Sequence, residues 1–278
     1  MDRRTKAILA AAGAAAGALA VYAMVIEPRR VELTRPRIYV RDLPEALEGL
    51  RIGLLSDLHA GRLTARGTLE RAVDLVMEAR PDLIAITGDF ADRRSADYAP
   101  AFRALAPLRA PLGVYAVPGN HDHAVGIGGW YRAMRDSPHI LDATNRYHER
   151  SVGDVRLCVA GVDDLEEAQP ELVLPPPGDR DFTLVLAHNP DSAELARRAY
   201  DAVDLIVSGH THGGQVRLPG VGAVERKSDI YDAGLRRRPW TQVYTSRGVG
   251  STFLPLRFGA RPEVAVLELT GAARPGKG

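Results

Sequence analysis

Five of the eight histidines in this chain stand at the ends of short apolar runs, in company with aspartate and asparagine. The settings are Ser56-Asp57-Leu58-His59, Gly88-Asp89-Phe90-Ala91-Asp92, Gly119-Asn120-His121-Asp122, His188-Asn189-Pro190 and Gly209-His210-Thr211-His212. Imidazole is the commonest protein ligand for a transition metal, and carboxylate oxygens are natural bridges between cations. A lone aspartate after a strand is usually a cap or a turn residue. Repeated delivery of carboxylate, amide and imidazole to strand ends is hard to explain as capping. Extended backbone puts residues i and i+2 on one side. The Asp57/His59 and His210/His212 pairs can therefore each aim at one centre or at two adjacent ones. Glycines in these motifs clear space where the backbone turns tightly or approaches a ligand. His123, His139 and His148 sit in polar stretches and read as satisfied surface residues. Asp92 and Asp122 read as supporting groups rather than ligands.

The elements that must position these residues follow from the runs themselves. "RIGLL", "DLIAIT", "LGVYAV", "FTLVLA" and "VDLIVS" precede the five motifs, and "VRLCVAGV" ends in Asp163-Asp164. Short continuous apolar runs rich in β-branched residues are expected of strands buried on both faces. Helical patterns separate several of them: "TARGTLERAVDLVMEAR", "YAPAFRALAPL" and "NPDSAELARRA". "TQVYTS" and "EVAVLEL" make the C-terminal third more β in character. Alternating strands and helices imply an α/β domain with two buried sheets flanked by helices. In such sheets ligand sites form outside the carboxyl ends of the strands, where the motifs stand.

Bulk composition narrows the function. Lys+Arg 36 against Asp+Glu 35 leaves a net charge of +1, without the basic surplus of a general nucleic-acid binder. The single cysteine, Cys158, excludes an internal disulfide framework and reads as a buried strand residue. Residues 7–26 carry no charge and are about as long as a bilayer's hydrocarbon core requires. Arg3-Arg4 ahead of that run resembles a twin-arginine export signal, and Ala18-Leu19-Ala20 offers a small-residue cleavage site. Both cleavage and retention as an anchor stay open. The basic first residues favour an inside N-terminus, placing the rest of the chain outside the cytoplasmic membrane. The expected organisation is an apolar signal-like or anchoring segment at 1–26, a proline-punctuated linker at 27–50, a catalytic domain at 51–270 and a flexible tail at 271–278.

Taken together, Asp57-x-His59, Gly88-Asp89-x-x-Asp92, Gly119-Asn120-His121-Asp122, His188 and Gly209-His210-x-His212 resemble the calcineurin-like metallophosphoesterases, in that family's order. The resemblance implies a four-layer α/β/β/α sandwich with two central sheets and a two-metal centre. It implies Asp57, His59 and His212 on one metal, Asn120, His188 and His210 on the other, and Asp89 bridging both. It makes His121 a non-ligand near the leaving group, with Asp92 or Asp122 as its partner. "IEP" at 26–28, "GHTHGGQVRLPG", "YDAGL" and "SRGVGSTFLPLRFGARPEV" look like the membrane-associated bacterial branch, which includes wall-associated phosphodiesterases and some UDP-2,3-diacylglucosamine diphosphatases.

The implied chemistry is phosphodiester hydrolysis. Cations about 3.5–4 Å apart activate a water held between them, and His121 serves the departing oxygen. Nitrogen and oxygen ligands without thiolate suit manganese, iron or zinc, with manganese favoured. Arg62 is a candidate for binding the substrate's second substituent, which could be lipid-linked or a nucleotide sugar. Trp130 and Tyr131 either wall the site or pack a helix start. Arg236, Arg237 and Arg238 form a solvated face or meet anionic headgroups, and Phe253, Leu254, Leu256 and Phe258 pack in the core or form a lipid-facing lip. Two other readings are a catalytically silent scaffold, which would have lost ligands, and a phosphomonoesterase of soluble substrates. A nuclease is disfavoured by the balanced charge.

Overall fold

The computed structural model describes residues 1–198 and 203–271. The first part of the chain runs α1 (Arg3–Val21), β1 (Glu32–Thr34), β2 (Arg37–Val40), β3 (Arg51–Leu55), α2 (Thr68–Glu78), β4 (Leu83–Thr87), α3 (Ala99–Leu105), β5 (Val114–Val117), α4 (Asn120–Ala124), α5 (Ile127–Arg135) and β6 (Ile140–Asp142). It continues through β7 (Arg146–Val152), β8 (Val155–Gly161), β9 (Phe182–Leu186), α6 (Ala193–Arg198), β10 (Leu205–Ser208), β11 (Arg217–Leu218), β12 (Gly222–Ala223), β13 (Gly234–Arg238), β14 (Thr241–Thr245) and β15 (Glu263–Gly271).

Seven strands form one sheet, ordered β1-β15-β3-β4-β5-β6, with β2 also on β15. A second sheet of six is ordered β13-β14-β10-β9-β8-β7. Strands β3 to β6 run parallel, as do β8, β9, β10 and β14. The apolar runs are strands buried on both faces because their alternate residues serve two cores. In β4, Leu83 and Ala85 face the other sheet, while Ile84 and Ile86 face helices. The core between the sheets joins Leu54 and Val117 to Val159, Leu184 and Val207. Val73, Phe102 and Trp130 of α2, α3 and α5 cover the first sheet's outer face. Ala193 and Ala196 of α6 cover the second. The expected four-layer α/β/β/α arrangement is present. Helix α2 buries Leu69, Ala72, Val73 and Val76, the i, i+3, i+4, i+7 stripe of an amphipathic helix.

The stretch 27–50 is not a linker. Strands β1 and β2 both pair in parallel with β15, and Ile38, Val40, Leu47 and Leu50 enter the inter-sheet core. The prolines that suggested a connector fall between these short edge strands rather than within them, where they cost no ladder bonds. The expected tail at 271–278 starts on the last residue of β15; residues 272–278 lie outside the described ones.

Helix α1 has no buried residue. It continues through Tyr22–Arg29, and the whole is the single helix among the described residues long and apolar enough to cross a membrane, its apolar stretch of 18 residues having a mean hydropathy of 2.0. Its foot is tied to the domain: the Ala23 carbonyl accepts from the Arg257 N–H at 2.9 Å. Buried Glu27 accepts from the Ala260 N–H at 3.0 Å, and the Tyr22 ring meets Phe258 edge-on at 6.3 Å.

Candidate metal centre

Each motif residue is placed by the strand before it. Asp57, Asp89, His188 and His210 each follow their strand by two residues, and Asn120 follows β5 by three. Strands β3, β4 and β5 are neighbours in one sheet, and β9 and β10 in the other. The two sheets therefore bring their motif-bearing ends to one rim. Beyond the strands the loops stay paired: the Asp57 N–H donates to Gly88 O at 3.0 Å and the His59 N–H to Asp89 O at 2.9 Å. The sheets are joined by the His210 N–H, which donates to Asp57 Oδ1 at 3.0 Å. This crossing demands glycine at 209, because a Cβ there would overlap Ser56 Oγ and Asp57 Oδ2.

The side chains converge as two groups around one carboxylate. Asp89 Oδ2 lies 3.4 Å from His59 Nε2 and 3.4 Å from His188 Nε2. On the first side, His212 Nε2 is 3.1 Å from His59 Nε2 and 3.3 Å from Asp57 Oδ1. On the second, His188 Nε2 is 3.0 Å from Asn120 Oδ1 and 3.2 Å from His210 Nδ1. All seven residues are buried. The His188 ring is oriented by its Nδ1, which faces the Thr87 carbonyl at 2.8 Å and so donates to it. Such a bond fixes the tautomer and leaves Nε2 free to ligate. Asp57, His59, Asp89, His210 and His212 all have φ between 42° and 69°, the left-handed region that is uncommon for non-glycine residues.

The donor set fits divalent cations. Ligand atoms of Asp57, His59 and His212, of His59, Asp89 and His121, and of Asp57, Asp89 and His188 fall within 4.8 Å of one another. Burial holds the His59 imidazole down to about 3, and burial pushes His212 well below its ordinary value. Both rings are therefore neutral, as ligation requires. Burial also works against His188, but the Asp89 carboxylate outweighs it and raises the ring's pKa. Asp89 is in turn held low, since the facing imidazoles override its burial. Burial raises Asp57.

The other expected residues divide. His121 lies in the same cluster, its ring 4.7 Å from that of His59 and its backbone N–H on Asp89 Oδ1 at 2.9 Å. Its buried Nδ1 has no hydrogen-bond partner, and burial lowers its pKa. Neither Asp92 nor Asp122 bonds to it among the described residues. The Asp122 carboxylate instead accepts from the N–H groups of Phe90, Ala91 and Gly119, fastening the loops after β4 and β5 together. Arg62 is exposed on the loop after His59. Trp130 is packing: it is fully buried and meets Phe90 edge-on at 6.0 Å. Arg236, Arg237 and Arg238 lie on edge strand β13, and Cys158 is buried with its thiol pushed up to about 12. His123 bonds Asp163 at 2.7 Å, while His139 and His148 face the carbonyls of Leu105 and Asp142.

Two neighbours of the cluster carried no signal in the sequence. Glu166 Oε1 lies 3.1 Å from His210 Nε2, without the alignment of a hydrogen bond. It belongs to the acidic stretch after β8, the strand whose Asp163-Asp164 ending had marked that edge. Arg257 is fully buried and reaches His212 Nδ1 at 3.2 Å. Nothing in its local composition distinguishes it from a surface arginine.

Two sheets delivering histidine, aspartate and asparagine to one buried rim agree with a family-wide comparison, in which the calcineurin-like phosphoesterase profile matches residues 50–214. The chain belongs to that family. It is 34% identical over 268 residues to the uncharacterized metallophosphoesterase YkuE of Bacillus subtilis, covering 94% of this chain and 93% of that one. It is 35% identical over 266 residues to phosphodiesterase YaeI of Escherichia coli, covering 89% and 92%. A transmembrane protein with metallophosphoesterase domain from Danio rerio is 31% identical, over 91% of this chain and 61% of that longer one. This member of the calcineurin-like phosphoesterases is a metal-dependent phosphoester hydrolase, with aspartate and histidine groups positioned to bind metal ions.

Proposed function

We propose that the chain is a phosphodiesterase of the cell envelope, working with two divalent cations. Asp57, His59 and His212 would hold one, Asn120, His188 and His210 the other, and Asp89 both. The observation that carries this reading is Asp89 Oδ2, equidistant at 3.4 Å from a histidine of each group. Manganese is the favoured metal, with iron and zinc next, since all seven donors are nitrogen or oxygen. Bound cations at such a site supply a nucleophile at neutral pH and Lewis acidity towards the phosphoryl oxygens.

The chain's own groups supply the rest. His121, beside His59 and with Nδ1 unpartnered, would donate a ring N–H hydrogen bond that stabilises charge on the leaving oxygen. Arg62, exposed next to the rim, meets the diester's second substituent, lipid-linked or a nucleotide sugar. Left-handed backbone at five of the ligands fixes their side chains before substrate arrives, the preorganisation that electrostatic catalysis needs. Residues 7–26 anchor the chain in the membrane with the domain on its outer side. The anchoring is supported by the apolar exposed helix and by the transmembrane relative, and the orientation by the basic residues Arg3, Arg4 and Lys6 ahead of it.

The test is hydrolysis by metal-reconstituted protein of bis-p-nitrophenyl phosphate against p-nitrophenyl phosphate, with Asn120→Ala as control. Diester turnover is expected to exceed monoester turnover. Equal rates in wild type and the Asn120 variant would place the activity elsewhere.

A further inference from the structure

The foot of α1 enters the domain beside a group of exposed apolar side chains that nothing in the fold explains. Leu218, Val221 and Val224, on and just after the β11–β12 hairpin, are 43%, 68% and 63% exposed. Phe253 and Leu254 are 54% and 55% exposed. Phe253 is moreover held at φ 58°, in the left-handed region that a bulky residue adopts only under strain. A strained backbone that presents an aromatic ring to solvent is poor packing but suits a surface that meets something apolar.

Three observations place this group at the level of a bilayer surface. The 19 residues of α1 span about 28 Å at 1.5 Å per residue, close to the roughly 30 Å hydrocarbon thickness. Placing the uncharged run 7–26 in the hydrocarbon, with Arg3, Arg4 and Lys6 at one face, puts Tyr22 about one turn from the other face, in the boundary where tyrosine is favoured. The domain touches the helix there, through the Arg257 N–H on Ala23 O and Phe258 against Tyr22. Leu254 is three residues from Arg257, so it lies within about 11 Å along even a fully extended chain. Val221 and Tyr22 line one cavity together. Charge agrees, since Lys227 sits over the Phe253 ring at 5.9 Å, and Arg29, Arg30 and Arg261 flank the foot, as anionic headgroups would favour.

This face also leads to the metal ligands. A cavity of about 230 Å³ is lined by buried His212 together with Val216, Val224, Phe253, Leu254 and Leu256. Resting on the membrane association read from α1, we infer that the 218–224 hairpin and the 253–254 loop sit in the lipid headgroup and acyl boundary. The bilayer then covers the apolar mouth that opens beside His212.

The test places single reporters in the full chain reconstituted in phosphatidylcholine–phosphatidylglycerol vesicles containing acyl-brominated lipid. Wild-type emission from Trp130 and Trp240 is subtracted. Phe253→Trp and Val221→Trp are expected to be quenched at least half as strongly as Val25→Trp in the anchor. Asp154→Trp, on the β7–β8 turn, is expected to be unquenched. Each variant is checked by thermal melting and metal content, and the two rim reporters stand independently should one misfold. Quenching at residue 25 with none above the residue 154 level at 253 and 221 overturns the inference. Absence of quenching at residue 25 as well overturns the membrane reading beneath it.

Discussion

The metal rim and the foot of α1 are both assembled from charged and polar groups that are almost wholly removed from water, yet they are built on opposite terms. At the rim, lone-pair atoms face one another at 3.0 to 3.4 Å, an arrangement that stabilises little by itself and is shaped to hold something else. At the foot, donors and acceptors are matched. The Arg257 guanidinium donates to the carbonyls of Gly250, Ala260, Arg247 and Gly248, and Glu27 accepts from Ala260. A buried polar group whose partners are all present supports the fold, while one aimed at other acceptors supports chemistry.

Replacements on the two sides should therefore fail differently. The largest effect is expected from Asp89→Asn. Removing the charge that faces both groups should lower kcat/KM by about 10³-fold or more, equivalent to about 4 kcal/mol of transition-state stabilisation. Bound metal, measured by elemental analysis, should fall with it, while the denaturation midpoint of the metal-free protein should fall less than for Arg257→Ala, since the loss is confined to the pairing of Asp89 with the facing imidazoles. A midpoint that fell sharply would make Asp89 a structural residue and erase the contrast. Arg257→Ala should act chiefly on stability, costing about 3 kcal/mol or more in denaturant unfolding because several buried carbonyls lose their donors, with a smaller loss of activity through His212, whose Nδ1 it reaches. Arg257→Lys should not restore the loss, since an ammonium cannot reproduce the planar fork.

The smallest expected effect comes from a pair belonging to neither region. Asp163 hydrogen-bonds His123 and raises its pKa. The folded chain thus holds that proton more tightly, so the pair's contribution is complete below about pH 6.5 and is lost as pH rises through the raised value. Asp163→Asn should lower stability by about 1 kcal/mol on the acid side, with the gap in Tm closing towards alkaline pH. A gap independent of pH would assign the loss to packing.

The rim could be read from the amino-acid order because each of its residues follows a strand at a near-constant step, and apolar runs of this kind are visible without a structure. Asp57, Asp89, His188 and His210 announce themselves in that way, and the layered α/β arrangement follows from the same runs. The foot could not be read, because Glu27 and Arg257 are of types ordinarily exposed. Glu27 is buried against an N–H that lies 233 residues away in the chain, at Ala260, and Arg257 is held by carbonyls of its own irregular loop, which no periodic pattern announces. The segment 27–50 misled for a related reason: three- and four-residue edge strands broken by prolines carry too short a pattern to separate from a connector. Asp122 looked like a partner for His121, but its oxygens go to backbone N–H groups that no side-chain spacing reveals.

The left-handed backbone at Asp57, His59, Asp89, His210 and His212 has a bearing on how this chain can change. Glycine would adopt those angles with less strain, so a protein shaped by folding alone would drift towards it at all five places. At roughly 1 kcal/mol or more apiece, the five together amount to a sizeable fraction of an ordinary domain's net stability of about 5–15 kcal/mol. Neutral drift in this loop system should run towards inert, sturdier descendants, and only continued demand for the reaction keeps aspartate and histidine where they are.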